Sequence, residues 1–400
     1  MHFRGLLRDI RGTRSSERLD VVRALAALEV MCLHLRDLFF VDYPQLDHPT
    51  LWLTAPYALA NYGHQAVVIF FVLSGFFIAG TVARSTESGR WSWREYLIQR
   101  VARLGVVLAP ALVLTYLLDT IGLHLFGFGH NYVGDGTVYI LSPNLIARRA
   151  PRIFLANLLF LQSFIAPTFG TDSPLWSLSY EFWFYIVFPF LYLAIRPQGK
   201  TRWLALLPGL GLFLGLTALR HGFSAYFLVW LFGAFAGSSE TTKLPTAARR
   251  AIACAGVAGS ILALWAVWRG LCSILITDYA LGLSFSLVLF AIISDTRKSL
   301  GGPVTRLFGR IAQFSYTLYA IHLPILFLAR CFLIGNGPRM FPTASSFVIA
   351  LGIGLGTLLV SYLISLITES RTDAVRRAMR SLLTPTPPVA PLLPPSDQGG

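Results

Sequence analysis

The chain has 400 residues, of which 55% are hydrophobic and only 13% charged, and its mean hydropathy is +0.62. Soluble domains carry about twice that share of charge, so the composition excludes an ordinary soluble protein and predicts a polytopic membrane protein. The formal net charge of +14 does not predict nucleic-acid binding, because Lys and Arg fall between apolar segments, as positive-inside topology requires.

In chain order, Arg4, Arg8, Arg11, Arg14 and Arg18 make 1–18 a basic, cytoplasmic N-terminus. The first apolar stretch, 19–40, is too long for a signal-peptide h-region and lacks a small-residue cleavage site, which predicts a retained anchor. Further apolar segments follow at 63–82, 96–118, 152–167, 175–195, 203–219, 223–237, 251–268, 273–294, 308–333 and 344–368. Each is long enough, or nearly so, to span about 30 Å of hydrocarbon. Basic clusters at Arg84/Arg90/Arg94/Arg100, Arg196/Lys200/Arg202, Lys243/Arg249/Arg250, Arg297/Lys298/Arg306/Arg310 and Arg371/Arg376/Arg377/Arg380 alternate with loops poor in Lys and Arg. Both termini are therefore expected in the cytoplasm.

Two cytoplasmic ends require an even number of crossings, yet the apolar segments number eleven. Arg148, Arg149 and Arg152 place the start of 152–167 on the cytoplasmic side, so a re-entrant or kinked turn-back is expected between 96 and 150. Gly105, Pro110, Gly122, Gly127 and Gly129 are the candidate break points. The expected fold is all-α: a bundle of about ten transmembrane helices over 19–370, then a cytoplasmic tail, 371–400, basic at first and Pro-rich and disordered from Pro385. Cys32, Cys254, Cys272 and Cys331 stand singly and predict neither disulfides nor a zinc site, and no metal is expected.

Ionisable residues inside apolar segments mark the chemistry, because they are expensive in a bilayer and face a cavity or a partner. Arg23 and His34 are eleven residues apart in the first segment, which puts them on one helix face, roughly 16 Å apart along the axis. Asp20 lies one turn before Arg23 and can pair with it. In SPLWSLSYEFWFYIVFPF, Glu181 has Ser177 one turn before it and Tyr185 one turn after, and Pro189 is expected to bend the helix and free backbone groups. In FGRIAQFSYTLYAIHLPIL, Ser315, Tyr319 and His322 share a face ahead of Pro324. In GHQAVVIFFVLSGFFIAG, Ser74 and Gly75 allow close backbone approach in mid-membrane.

These stretches, in this order, resemble acyltransferase family 3, integral membrane enzymes that O-acylate cell-surface glycans and other acceptors. The resemblance covers roughly residues 17 to 335 and is carried by RLDVVRALAALEVMCLH, GHQAVVIFFVLSGFFI, REYLIQRVARL, SPLWSLSYEFWFY and FSYTLYAIHLPI, with departures at Ala24, Ala66 and Gly105-Val106. It implies a multi-pass enzyme of the plasma (inner) membrane. The implied donor is acyl-CoA, acetyl-CoA first among them, on the cytoplasmic side; the implied acceptor is a hydroxyl of a glycan or glycolipid presented from the other side or from lipid. His34 is then the expected general base, suited as an imidazole to proton transfer near neutral pH. Arg23 faces the donor, and Glu181 orients His34 or assists its proton relay. Arg100 and Arg103 are candidate phosphate contacts, since guanidinium forks match phosphate oxygens. Asp20, Ser74, Ser177, Tyr185, Tyr319 and His322 complete the expected substrate- and donor-binding set.

Glycan-assembly proteins are the expected protein partners. Because the chain ends soon after the last crossing, acyl transfer is expected to finish within the bundle or with a separate partner. The second reading is a proton-coupled transporter or flippase in which His34, Glu181 and His322 form a proton relay. The absence of matching broken segments in two halves argues against it.

Overall fold

Caps and prolines set where the apolar segments begin and end. The computed structural model describes residues 12–47, 49–127, 144–195, 201–237, 245–295, 297–298, 301–335 and 337–383. Among these residues the chain is all-α, with isolated bridges but no strand. The helices are α1 (Arg14–Phe39), α2 (Leu51–Leu59), α3 (Gly63–Glu87), α4 (Trp93–Phe126), α5 (Leu145–Arg148), α6 (Pro151–Leu158), α7 (Trp176–Ala194), α8 (Thr201–Leu219), α9 (Gly222–Ala236), α10 (Thr246–Arg269), α11 (Ile274–Ile293), α12 (Pro303–Gln313), α13 (Ser315–Leu333), α14 (Ala344–Ser365) and α15 (Thr372–Leu383).

Among the described residues, seven helical stretches are long and apolar enough to cross a membrane, and α8 and α9 supply two shorter apolar helices. α1, 26 residues long and so about 39 Å, has the length of a crossing but carries Asp20, Arg23, Glu29, His34, Arg36 and Asp37 and is not among the seven. Only 11% of the apolar window of α10 is buried inside the protein, against 72% for the stretch that contains α3. The exposed Leu, Ile and Val of α10 and α14 are therefore the lipid-facing exterior, and α3 is central.

The expected break between 96 and 150 is not where the glycines and proline suggested. α4 runs unbroken through Gly105, Pro110 and Gly122, and ends at Gly127, whose φ of +68° only glycine adopts without strain. The turn-back lies instead in the segment 152–167. There α6 stops after eight residues, and the chain continues without a helix to Asp172, turning at Phe160 and Ser163 with positive φ. Eight helical residues are too few to span about 30 Å of hydrocarbon. Arg149 donates to the Thr120 hydroxyl beside α4, about 30 Å along that helix from Arg100. The cluster of Arg148, Arg149 and Arg152 thus sits away from the basic start of α4, contrary to the expectation that it shares that side. The apolar stretch 308–333 is also divided, at Phe314, into amphipathic α12 and apolar α13.

The described parts of both chain ends gather at the end of the bundle where α4 begins. Arg14 N donates to Arg297 O (2.9 Å), Arg18 pairs with Asp295 (3.2 Å) and Arg380 with Glu95 (2.7 Å). The Arg297 side chain, aided by Arg18, holds the Asp295 carboxyl well below its ordinary range. Residues 1–11, Gly129 and the Pro-rich tail from Pro385 lie outside the described residues, as do Arg196, Lys200 and Lys243.

Two local features position the site. A Cβ placed on Gly75 would collide with the Trp230 carbonyl, and one on Gly233 with the Val72 carbonyl, so α3 and α9 pack backbone to backbone. Pro189 does not break α7; it leaves the carbonyl of Tyr185, four residues earlier, without its helical donor. The Tyr96 hydroxyl donates to that carbonyl at 2.9 Å and ties α4 to α7.

Candidate functional site

Arg23 and His34 sit on the same continuous helix, but they open into different cavities. The first cavity, of about 330 Å³, is lined by Arg23, Arg100, Arg103, Ser74, Ser177, Glu181, Tyr185 and Tyr319, with apolar side chains of α3. The second, of about 870 Å³, is lined by His34, His64, Arg148, Trp176 and Tyr319 and by the non-helical 163–168. The first lies toward the start of α4. The second lies toward its far half, where Thr171 donates to Asp119 (2.8 Å), about 28 Å along α4 from Arg100. Tyr319 lines both. Its hydroxyl donates to the Pro174 carbonyl (2.8 Å) and lies 2.6 Å from Ser177 Oγ, which makes these side chains the partition between the cavities.

The first cavity is cationic. Arg23 is held by Asp20 (3.3 Å) and donates to the Ala312 carbonyl (3.2 Å); Asp20 supports Arg23 and does not itself line the cavity. Arg103 pairs with Glu369 (3.0 Å), and Arg100 lies over the rings of Tyr96 and Tyr185 at 5.4 and 5.9 Å. Three guanidiniums on one pocket give it charge and N–H donors of a kind that suits anionic oxygen. Glu181 accepts a short hydrogen bond from Tyr185. Ser74 donates to the Tyr185 hydroxyl and Trp230 Nε1 to Ser74, each at 3.2 Å. The expectation that Glu181 orients His34 does not hold, because its partner is Tyr185 and its cavity is the arginine-lined one.

The partner of His34 is His322. The rings stack with centroids 5.0 Å apart, and His34 Nδ1 lies 2.8 Å from His322 Nε2. His322 is fully buried and lines neither cavity, so it stands behind His34 and is not itself a substrate contact. Its Nδ1 lies 2.9 Å from the Tyr319 carbonyl and 3.1 Å from that of Leu318. Carbonyls only accept, so His322 carries its proton on Nδ1 and presents Nε2 as an acceptor. The hydrogen between the rings then belongs to His34 Nδ1, and His34 Nε2 keeps a lone pair able to take a proton.

Sequence reasoning missed His64, Asp278 and Tyr226. His64 Nε2 donates to Asp278 Oδ2 (2.7 Å), and the Tyr226 hydroxyl donates to the same oxygen (3.2 Å). Ionisable groups in apolar segments are themselves the signal, but these two are 214 residues apart, so no spacing could join them. Among the described residues no cluster of three or more His, Cys, Asp or Glu is arranged to hold a metal.

The sequence profile of an acyltransferase domain matches residues 16–366. The acyltransferase MdmB of Streptomyces mycarofaciens is 31% identical over 193 residues, covering 47% of this chain and 42% of that protein. The O-acetyl transferase of Shigella phage Sf6 is 27% identical over 172 residues, covering 43% of this chain and 44% of that protein. Each match spans less than half of the relative's length. No solved structure matches the chain. With the domain profile running through every helix that lines either cavity, the chain belongs to acyltransferase family 3.

Proposed function

We propose that this protein is a membrane O-acyltransferase that moves an acyl group, acetyl foremost, from acyl-CoA to a hydroxyl of a glycan, glycolipid or similar acceptor. The observation that carries this reading is the meeting of two unlike cavities at Tyr319, one lined with guanidiniums and the other with an imidazole pair. Family membership and the O-acetyl transferase name of the phage relative support it, and favour transfer over transport.

Arg23, Arg100 and Arg103 suit the phosphates of a coenzyme A donor, and Ser177 and Tyr185 add neutral hydrogen-bonding groups. About 330 Å³ is at the small end for ligand pockets, as a slender arm with a short acyl group requires. When bound, the donor supplies an acyl carbonyl with a thiolate leaving group. On the chain's side, His34 Nε2 takes the proton of the acceptor hydroxyl as the hydroxyl oxygen bonds to the acyl carbon. His34 Nδ1–H remains held by His322, which steadies the imidazolium until its proton passes to the departing sulfur. Water, the competing acceptor, is limited by the apolar walls and the Tyr319–Ser177 partition.

The positive-inside rule supports a cytoplasmic placement for the end that carries Arg18, Arg94, Arg297 and Arg380. Both termini then face the cytoplasm of a plasma (inner) membrane, the donor cavity opens toward cytoplasmic acyl-CoA, and the acceptor enters from the opposite side. Glycan-assembly proteins are the fitting suppliers of such an acceptor. The test is His34→Ala in purified, lipid-reconstituted protein with radiolabelled acetyl-CoA. Loss of a positioned base lowers transfer by about 10²–10⁴, and retention of more than half the parental rate overturns the assignment. Mass spectrometry of glycans and lipids from cells with and without the protein identifies the acceptor.

A further inference from the structure

The second cavity holds two imidazoles, and acyl transfer to a hydroxyl uses one. His34 stands against α13, next to the partition; His64 stands on the other side, against α9 and α11 through Tyr226 and Asp278. Asp278 is fully buried, and its Oδ1 has no hydrogen-bond partner among the described residues. A carboxylate so placed is costly, and what it holds is His64. Asp278 Oδ2 takes the Nε2 side of the ring, which leaves Nδ1 for another hydrogen-bonding group. That nitrogen has no hydrogen-bond partner among the described residues. The His64 ring lies parallel to Trp176, at 6.2 Å between centroids and 14° between planes, which limits its rotation. Both rings line the cavity, whose volume of about 870 Å³ is in the range that encloses a whole ligand. A single alcohol group needs far less.

On the acyl-transfer reading above, we propose that His64 is a second hydroxyl-recognition point of the acceptor cavity. A hydroxyl other than the one acylated hydrogen-bonds with His64 Nδ1, so the acceptor is a polyol of carbohydrate type, and His64 helps to select which hydroxyl reaches His34. Hydrogen bonds of this sort contribute about 1.5 kcal/mol, or roughly tenfold in affinity.

The test uses the full-length protein in lipid nanodiscs, radiolabelled acetyl-CoA, and two probes with the same alkyl tail: octyl glucoside, a polyol, and 2-octyloxyethanol, a mono-alcohol. The parental protein should acylate the glucoside with a KM about tenfold below that of the mono-alcohol. His64→Ala should raise the glucoside KM to the mono-alcohol value and leave kcat for the mono-alcohol unchanged. His64→Gln, whose amide can donate to Asp278 and accept from a hydroxyl, should recover part of the difference. Equal KM values in the parental protein, or a His64→Ala loss that falls on kcat for both probes, overturns the proposal while leaving acyl transfer standing. If neither probe is acylated, thermal stabilisation decides: stabilisation by the glucoside that His64→Ala abolishes supports the proposal, and equal or no stabilisation overturns it. Failure of the transferase reading shows separately, as His34→Ala protein with undiminished turnover.

Discussion

Replacing His322 with Leu tests the paired-imidazole site. The substitution removes the Nε2 acceptor 2.8 Å from His34 Nδ1 and fills a fully buried position with a side chain of similar size. In the ground state the lost bond joins two neutral rings. As His34 takes a proton it becomes a bond from an imidazolium, and charged hydrogen bonds contribute about 1.5–3 kcal/mol. At about 1.36 kcal/mol per tenfold, His322→Leu should lower the rate of acetyl transfer by roughly 10- to 150-fold, less than the loss in His34→Ala. Because His322 acts only through His34, the double variant should be no slower than His34→Ala alone. The assay is transfer from radiolabelled acetyl-CoA in nanodiscs, with melting curves confirming that each variant is folded. A folded His322→Leu protein with more than half the parental rate refutes the pairing. So does a double variant whose losses multiply, since a residue that merely supports the fold acts independently of the base.

Arg23→Lys keeps the charge near Asp20 but loses the planar fork that also reaches the Ala312 carbonyl, so KM for acetyl-CoA should rise about tenfold with kcat little changed; an unchanged KM removes Arg23 from the donor site. Gly233→Ala forces a methyl group into the Val72 carbonyl and should destabilise the α3–α9 pair by about 1–3 kcal/mol or more, read as a lower melting temperature in detergent; a melting curve like the parental one means that the backbones do not touch. At the end of the bundle opposite the donor cavity, Arg339 hydrogen-bonds Asp42 (2.9 Å) and holds its carboxyl below the ordinary range. A depressed folded-state pKa adds stability that is present above the unfolded value of about 3.9 and is lost as pH falls through the lower folded value. The Asp42 side chain is 55% exposed, so solvent screens the pair and its contribution is at most about 1 kcal/mol. Asp42→Asn should therefore lower the melting temperature slightly from pH 8 to 5, with the difference from the parental protein vanishing only in strong acid; a constant difference at all pH values contradicts this account.

What the sequence determines by itself is whatever rests on local pattern. Runs of apolar residues dictate helices that lipid will accept, because a bilayer core offers backbone groups no water and helices satisfy their own. The Asp20–Arg23 pair follows from 3.6 residues per turn and is present, and so is the close backbone approach expected at Gly75. Hydropathy misjudged 152–167 for a related reason: a window of apolar residues does not distinguish a crossing from a short apolar segment that turns back, with Leu155, Leu159 and Ile165 left exposed. There α6 stops early, and Asn157 caps the turn by accepting from Phe169 N (3.0 Å). The partners of the ionisable residues belong to tertiary structure alone. His34 meets His322 across 288 positions, and nothing near Glu181 in sequence says that its cavity holds Arg23, Arg100 and Arg103 and excludes His34. The cost of leaving a charge unpaired in lipid guarantees that each such residue has a cavity or a partner. Which one it has depends on which helices pack side by side, and helix order in a bundle is set by shape at close contacts such as Gly75 with Trp230 and Gly233 with Val72, not by the spacing within any one segment.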